Sequence, residues 1–157
     1  MSRYFPVFLN LEGRKAMLIG AGNIGCRRLE RLLAFGANVH VVAPEISKTA
    51  WELAEKYPDH TCLEQRAYLP GEISGVDLVL SATDSPDIDT QIYEECRAKH
   101  IPVNIAADQS KCDFYFPAIV EYDGLVIGVT SGGSDHRKVR RFSAWLRQAL
   151  AKKEDGA

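Results

Sequence analysis

The chain has 157 residues, 46% of them hydrophobic and 25% charged, with a formal net charge of −2. That length fits one domain with a small appendage, and the composition argues against disorder. No run approaches the roughly 20 apolar residues that span a bilayer, and residues 1–10, with the single Arg3, do not read as a signal peptide, so a cytoplasmic protein is expected.

The charge is unevenly spread. Residues 134–153 hold seven Lys/Arg and one Asp, whereas residues 1–133 are net acidic. A basic segment of this kind favours an anionic partner without naming it. Cys26, Cys62, Cys96 and Cys112 are far apart with no CxxC pair. They are expected to be reduced and semi-buried, not ligands of a structural zinc or members of a disulfide framework.

In chain order, Lys15–Ile19 is a short apolar run ending in glycines and predicts a buried strand. From Gly25 to Phe35 the apolar spacing is helical, with Gly36 as the stop. Asn38–Val42 predicts a second strand, closed by Pro44. Ile46–Lys56 predicts a helix with Trp51, Leu53 and Ala54 inward. Thr61–Gln65 is a weaker strand and Asp77–Ala82 a buried one. Ser85–His100 predicts a helix with Ile88, Ile92 and Cys96 on one face, followed by a strand over Ile101–Ile105. Strand and helix alternate at the rhythm of a doubly wound parallel sheet.

The rhythm then changes. Phe114–Glu121 and Leu125–Thr130 flank Asp123-Gly124, a hairpin signal. Ser131–Ser134 is a glycine turn, and His136–Lys153 predicts an amphipathic helix with Val139, Phe142, Trp145, Leu146, Ala149 and Leu150 as its stripe. The chain therefore divides at 1–112 and 113–157. The second part is too small to own a core, so its apolar surface predicts a dimer.

Gly20-Ala21-Gly22-Asn23-Ile24-Gly25 has the GxGxxG spacing. It follows a predicted strand and opens a predicted helix, the context that a dinucleotide-binding turn requires. Its first glycine permits the turn, its second lets backbone approach a pyrophosphate, and its third lets helix pack on strand. At the end of the second strand Glu45 fits either a ribose contact or a solvated position. No Arg lies beside it, which favours NAD over NADP. Thr83, Asp84, Asn104 and Asp108 follow the next two strands at the edge that faces a cofactor. Each also has a bland reading as a cap, and helix capping by Asp84 or Ser85 is equally expected.

Several segments together resemble the precorrin-2 dehydrogenase family, which includes the N-terminal part of multifunctional siroheme synthase. They are Pro6–Leu11, Gly20–Gly25, Ala82-Thr83-Asp84, Asn104–Asp108, Cys112–Ala118 and Thr130–Gly133. The resemblance implies a Rossmann-type domain with a short C-terminal hairpin-plus-helix dimerisation segment, and NAD-dependent oxidation of precorrin-2 to sirohydrochlorin. Some members also insert iron(II), which stays open here. By position, Asn23 and Ile24 meet the cofactor pyrophosphate side, and Pro44 and Glu45 its ribose side; beside them Gly20, Gly22 and Gly25 are cofactor-binding candidates from the turn motif, and Thr83 and Asn104 from the strand edge. Ser131 matches a serine at the mouth of the tetrapyrrole site, beside Gly132.

The chain departs from the family at three points. Ala107 stands where the key aspartate is expected, and the acid is its neighbour Asp108. Ser134-Asp135-His136 replaces the usual serine-proline, and the sequence ends where many relatives carry a further helical module. The substrate's carboxylates suit Arg137, Arg140 and Arg141 beside His136, because guanidinium binds carboxylate bidentately. Asp108 is the expected base, with Asp113 and His136 as competitors. Cys112 alone is a poor iron site. No nucleic-acid or membrane partner is expected. The rival reading is an NAD-binding sensor domain without turnover.

Overall fold

The computed structural model describes residues 5–154, with side chains as far as residue 151. The outer limits of the two expected domains, residues 1–4 and 155–157, lie outside the described residues, as do the side chains of Lys152 and Lys153. Two compact units are present. Val7–Phe114 forms one, and the residues from Tyr115 onward, with Phe5 and Pro6, form the other.

The larger unit alternates strand and helix. Its elements are β1 (Lys15–Ala21), α1 (Asn23–Ala34), β2 (Asn38–Ile46), α2 (Lys48–Lys56), β3 (Thr61–Gln65), β4 (Leu78–Ser81), α3 (Pro86–Lys99) and β5 (Val103–Ile105). The strands form one sheet in the order β3-β2-β1-β4-β5, with parallel pairings throughout. This is the Rossmann-type doubly wound order with five of its six strands, and the strand order reverses beside β1. A parallel sheet covered on both faces needs continuous apolar strands. Accordingly Met17, Leu18 and Ile19 of β1 and Val79 and Leu80 of β4 are buried on both faces. One side of the core gathers Met17, Ile19, Val42, Val79, Ile105, Ile92, Cys96 and Tyr68. Burial pushes the Cys96 thiol up to about 12, so it remains a neutral core group.

Three sequence expectations need correction. β2 does not close at Pro44 but runs to Ile46. Pro44 has no N–H to give, yet none is required: β3 pairs only as far as Ala43, and the β1 register skips from Ile19↔Val42 to Ala21↔Ile46. Trp51 is not inward but 46% exposed, and Ala50 is the buried residue of α2. The apolar stripe is Ala50, Leu53, Ala54 and Tyr57, and Trp51 lies one position off it. Cys62, finally, is exposed on the edge strand.

Ser85, not Asp84, caps α3, accepting a bond from the Ile88 N–H at 3.4 Å. The segment from Tyr68 to Ile73 is tied down by Glu95 of α3. That carboxylate accepts from the Tyr68 hydroxyl, from the Gly71 and Ile73 N–H groups at 2.8 Å each, and from Lys99 at 2.6 Å.

In the smaller unit, β6 (Ala118–Tyr122) pairs antiparallel with β7 (Leu125–Val129). Tyr122 faces Leu125 across a two-residue turn in which Asp123 and Gly124 have φ of 45° and 73°. Positive φ at both central positions is the twist-matched hairpin turn that Asp-Gly favours. The first strand is shorter than expected, because Phe114 gives its carbonyl to Asn104 and Pro117 has no donor. The last helix, α4, covers His136–Glu154. Arg147 fastens it to the hairpin with a 2.8 Å bond to the Ile119 carbonyl. Val120 and Ser143 are buried, whereas Phe142 and Trp145 are 48% and 58% exposed with ring centroids 5.4 Å apart. No helix among the described residues is long and apolar enough to cross a membrane.

Candidate functional site: a glycine turn at the carboxyl edge of the sheet

The turn between β1 and α1 is held by steric exclusion. Gly20 sits at φ 98°, and a Cβ there would lie 2.3 Å from the Ala82 carbonyl oxygen. A Cβ on Gly25 would lie 2.1 Å from the Gly20 carbonyl oxygen. These contacts clamp β1, α1 and the end of β4 together at distances no side chain tolerates. Gly22 differs: its backbone is extended (φ −76°, ψ −165°) and a Cβ would meet nothing within 4 Å. It bounds open space at the first turn of α1. No side chain caps that helix and no acidic residue lies in its first turn. Its first N–H groups and its dipole are thus available to an anion. An open second glycine between two crowded ones fits a dinucleotide pyrophosphate. Asn23 and Ile24 are exposed around this opening, Ile24 at 55%.

The neighbouring strand ends complete the edge. Pro44 and Glu45 are exposed at the end of β2. Lys48, at the start of α2, is paired with Glu52 at 3.3 Å. Cys26 of α1 lies 2.9 Å from the Ser47 hydroxyl, which ties the glycine helix to the cap of α2. After β4, Thr83 gives its hydroxyl to Asp89 at 2.8 Å, and Ser81 does the same at 2.5 Å. Arg28 reaches from α1 to the Ser81 carbonyl at 3.3 Å. Its burial lowers the guanidinium's pKa, and the nearby Cys112 and Asp89 counter that.

Asn104, at the end of β5, is 3% exposed. Its amide donates to the Phe114 carbonyl at 2.7 Å, while its Oδ1 is buried without a partner. A buried unmet acceptor is costly, so a polar partner for this oxygen at the end of β5 would be stabilising.

Asp108 is half-buried and caps the 3-10 turn Gln109–Lys111. Its Oδ1 accepts from the Ser110 N–H at 3.0 Å and the Ser110 hydroxyl at 2.6 Å. These two bonds hold its pKa below the usual carboxylate range, with Lys111, 3.8 Å away, a lesser influence. Lys111 bonds instead to Thr90 at 2.8 Å. Asp113 is engaged with the Val103 N–H at 3.0 Å and Arg97 at 3.3 Å, which fixes the start of the Cys112–Ala118 run to β5.

The remaining sequence candidates lie in the smaller unit. Gly132 and Gly133 have φ of 63° and 79°. Ser131 accepts the Asp135 N–H at 2.9 Å, and Asp135 in turn accepts the Lys138 N–H at 2.8 Å to start α4. His136, Arg137, Arg140 and Arg141 are all exposed. Cations in the opening turns of a helix oppose its dipole, and Arg137 faces Arg140 and Arg141 at repulsive spacings. An anion would relieve both costs.

Sequence reasoning missed the Asp89 hub, the reach of Arg28 and the anchoring role of Glu95. Asp89 and Glu95 looked like ordinary helix charges; only the opposing strand ends and loop reveal their partners.

The chain is similar to a siroheme synthase of Ectopseudomonas mendocina, 39% identical over 131 residues covering 83% of this chain and 28% of that protein. It is also similar to a siroheme synthase of Pseudomonas entomophila, 34% identical over 150 residues covering 93% of this chain and 32% of that protein. The chain thus spans about a third or less of the length of these curated relatives. Among solved structures, one titled "SirC, precorrin-2 dehydrogenase" shares the fold, with a TM-score of 0.76 at 22% identity, covering 93% of this chain and 71% of that one. A family model described as "Putative NAD(P)-binding" matches residues 7–118. The chain belongs to this NAD(P)-binding family.

Proposed function

We propose that this chain oxidises precorrin-2 to sirohydrochlorin with NAD, as the dehydrogenase part of siroheme synthesis. The observation that carries the reading is the likeness to siroheme synthases across 83% and 93% of the chain. The open cradle at Gly22 and the exposed Glu45 support NAD as the cofactor. NAD, when bound, accepts the hydride. In this reading Gly20–Gly25 and the α1 N-terminus bind the pyrophosphate, and Pro44 and Glu45 the ribose. Thr83 and the unmet Oδ1 of Asn104 orient the nicotinamide end. Asp108, kept ionised by Ser110, takes the proton that leaves the substrate.

The substrate is polyanionic, and Ser131, Gly132, His136, Arg137, Arg140 and Arg141 are proposed to bind its carboxylates. Exposed Phe142 and Trp145 favour a homodimer that covers them. The test is to incubate the protein with precorrin-2 and NAD and to follow the absorbance spectrum. Sirohydrochlorin formation that requires NAD is the expected result, and NAD binding without any spectral change would favour the sensor reading. Adding iron(II) to the same cuvette tests the chelatase step separately.

A further inference from the structure

His40, Cys62 and Glu64 converge on the outer pair of strands, away from the glycine turn. Register pairs His40 with Cys62 and Val42 with Glu64. Side chains two apart on a strand share a face, so an imidazole, a thiol and a carboxylate meet across β2 and β3. One ligand atom from each lies within 4.8 Å of the others. His40 Nε2 is 2.8 Å from Glu64 Oε1. Cys62 and Glu64 lie on the edge strand β3, and Cys62 is exposed, so an ion can reach the trio.

The surroundings complete a metal's requirements. Arg66 Nε donates to Glu64 Oε2 at 2.6 Å, which orients the carboxylate and leaves Oε1 toward His40. Outer partners of this kind fix the direction of a ligand. Arg66 is itself neutralised by Glu72, through bonds of 2.6 and 3.1 Å. With Cys62 as thiolate, the charges on Cys62, Glu64, Glu72 and Arg66 leave a surplus that matches a divalent cation. Ligands on a tetrahedral zinc lie about 2.0–2.3 Å from the ion. Adjacent ones are then roughly 3.4 Å apart, so small side-chain rotations close the trio.

We propose that His40, Cys62 and Glu64 form a zinc-class divalent metal site that clips β3 to β2. A mixed nitrogen, sulfur and oxygen set selects a borderline-soft ion over magnesium or calcium. Binding releases the Cys62 thiol proton. His40 then carries its remaining proton on Nδ1, so that the Nε2 lone pair faces the metal in place of the Glu64 contact. A fourth position stays open to water. The site is independent of precorrin-2 oxidation.

The test uses cobalt(II) as a spectroscopic stand-in, titrated into the full chain under reducing conditions. The expected result is saturable 1:1 uptake with a sulfur-to-cobalt charge-transfer band that zinc(II) abolishes. Cys62→Ser removes the band, and His40→Gln weakens uptake at least about tenfold, comparable to the losses seen when a metal site's support is removed. Thermal unfolding of each variant confirms that it is folded. The proposal is overturned if the parent shows no saturable uptake, which would make the trio an ion-paired surface only. A band that survives in Cys62→Ser also overturns it, because another thiol would then be the ligand.

Discussion

Two glycines of the β1–α1 turn, Gly22 and Gly25, make separable predictions. Gly22→Val places a side chain where nothing lies within 4 Å, on extended backbone that any residue adopts. Its stability cost is therefore under about 1 kcal/mol, the scale of an altered helix cap. Its new methyl groups occupy the path by which backbone meets a pyrophosphate, so NAD affinity collapses. Gly25→Ala does the opposite. Its Cβ would sit 2.1 Å from the Gly20 carbonyl oxygen and 2.9 Å from that carbonyl carbon, both backbone atoms. The overlap is relieved only by moving α1 away from β1, at a cost of about 1–3 kcal/mol or more. For a chain of this size that lowers Tm by roughly 2–12 °C. Circular-dichroism melts and calorimetric NAD titrations on both variants separate the two effects. Parental NAD affinity in a folded Gly22→Val protein would put the cofactor elsewhere. A parental Tm in Gly25→Ala would refute the steric argument.

Three further outcomes are expected. Asp108→Asn keeps an acceptor for Ser110 and so stays folded, but loses roughly 10²–10⁴-fold in turnover with NAD affinity unchanged, the range for removal of a general base. Near-parental turnover there, with loss in His136→Ala, would move the assignment to His136. Glu95 is raised by burial, yet its bonds to Lys99, Tyr68, Gly71 and Ile73 outweigh this and leave its pKa depressed. A depressed carboxylate stabilises the fold above its unfolded pKa, and that stability fades as pH falls through the lower folded value. Glu95→Gln, which turns a donor toward groups that already donate, costs about 1–3 kcal/mol at neutral pH and flattens this acid limb. An unchanged limb in denaturant titrations across pH would contradict the assignment. Light scattering at micromolar concentration is expected to give a dimer, and a Phe142→Glu, Trp145→Glu double variant a monomer; a monomeric parent would remove the claim.

Periodicity carried most of the α/β reading, because buried parallel strands such as Asp77–Ala82 and the Ile88, Ile92, Cys96 face write their burial directly into hydrophobicity. The glycine turn was legible for a related reason: spacing between a strand and a helix encodes its geometry. Pro44 misled because the missing ladder bond is absorbed by a register shift in the adjacent strand, which local sequence does not record. Trp51 misled by its size, although the stripe through Ala50, Leu53, Ala54 and Tyr57 already ran beside it. Asp89 and the His40, Cys62, Glu64 trio were invisible because their partners are brought together by strand order. The polar role of Asn104 was anticipated from its place at a strand end, but its unmet oxygen depends on the return of Phe114 to β5.

The clamp at Gly20 and Gly25 also bears on how this site can change. Its inner surface consists of backbone pressed against backbone, so substitutions there trade directly against folding and leave little room for adjustment. Asn23, Ile24 and Glu45 project outward from that frame into solvent. If the cofactor binds as proposed, its preference is adjustable at these three positions at small cost to stability, and a redesign toward a phosphorylated ribose would begin by replacing Glu45 while leaving the glycines untouched.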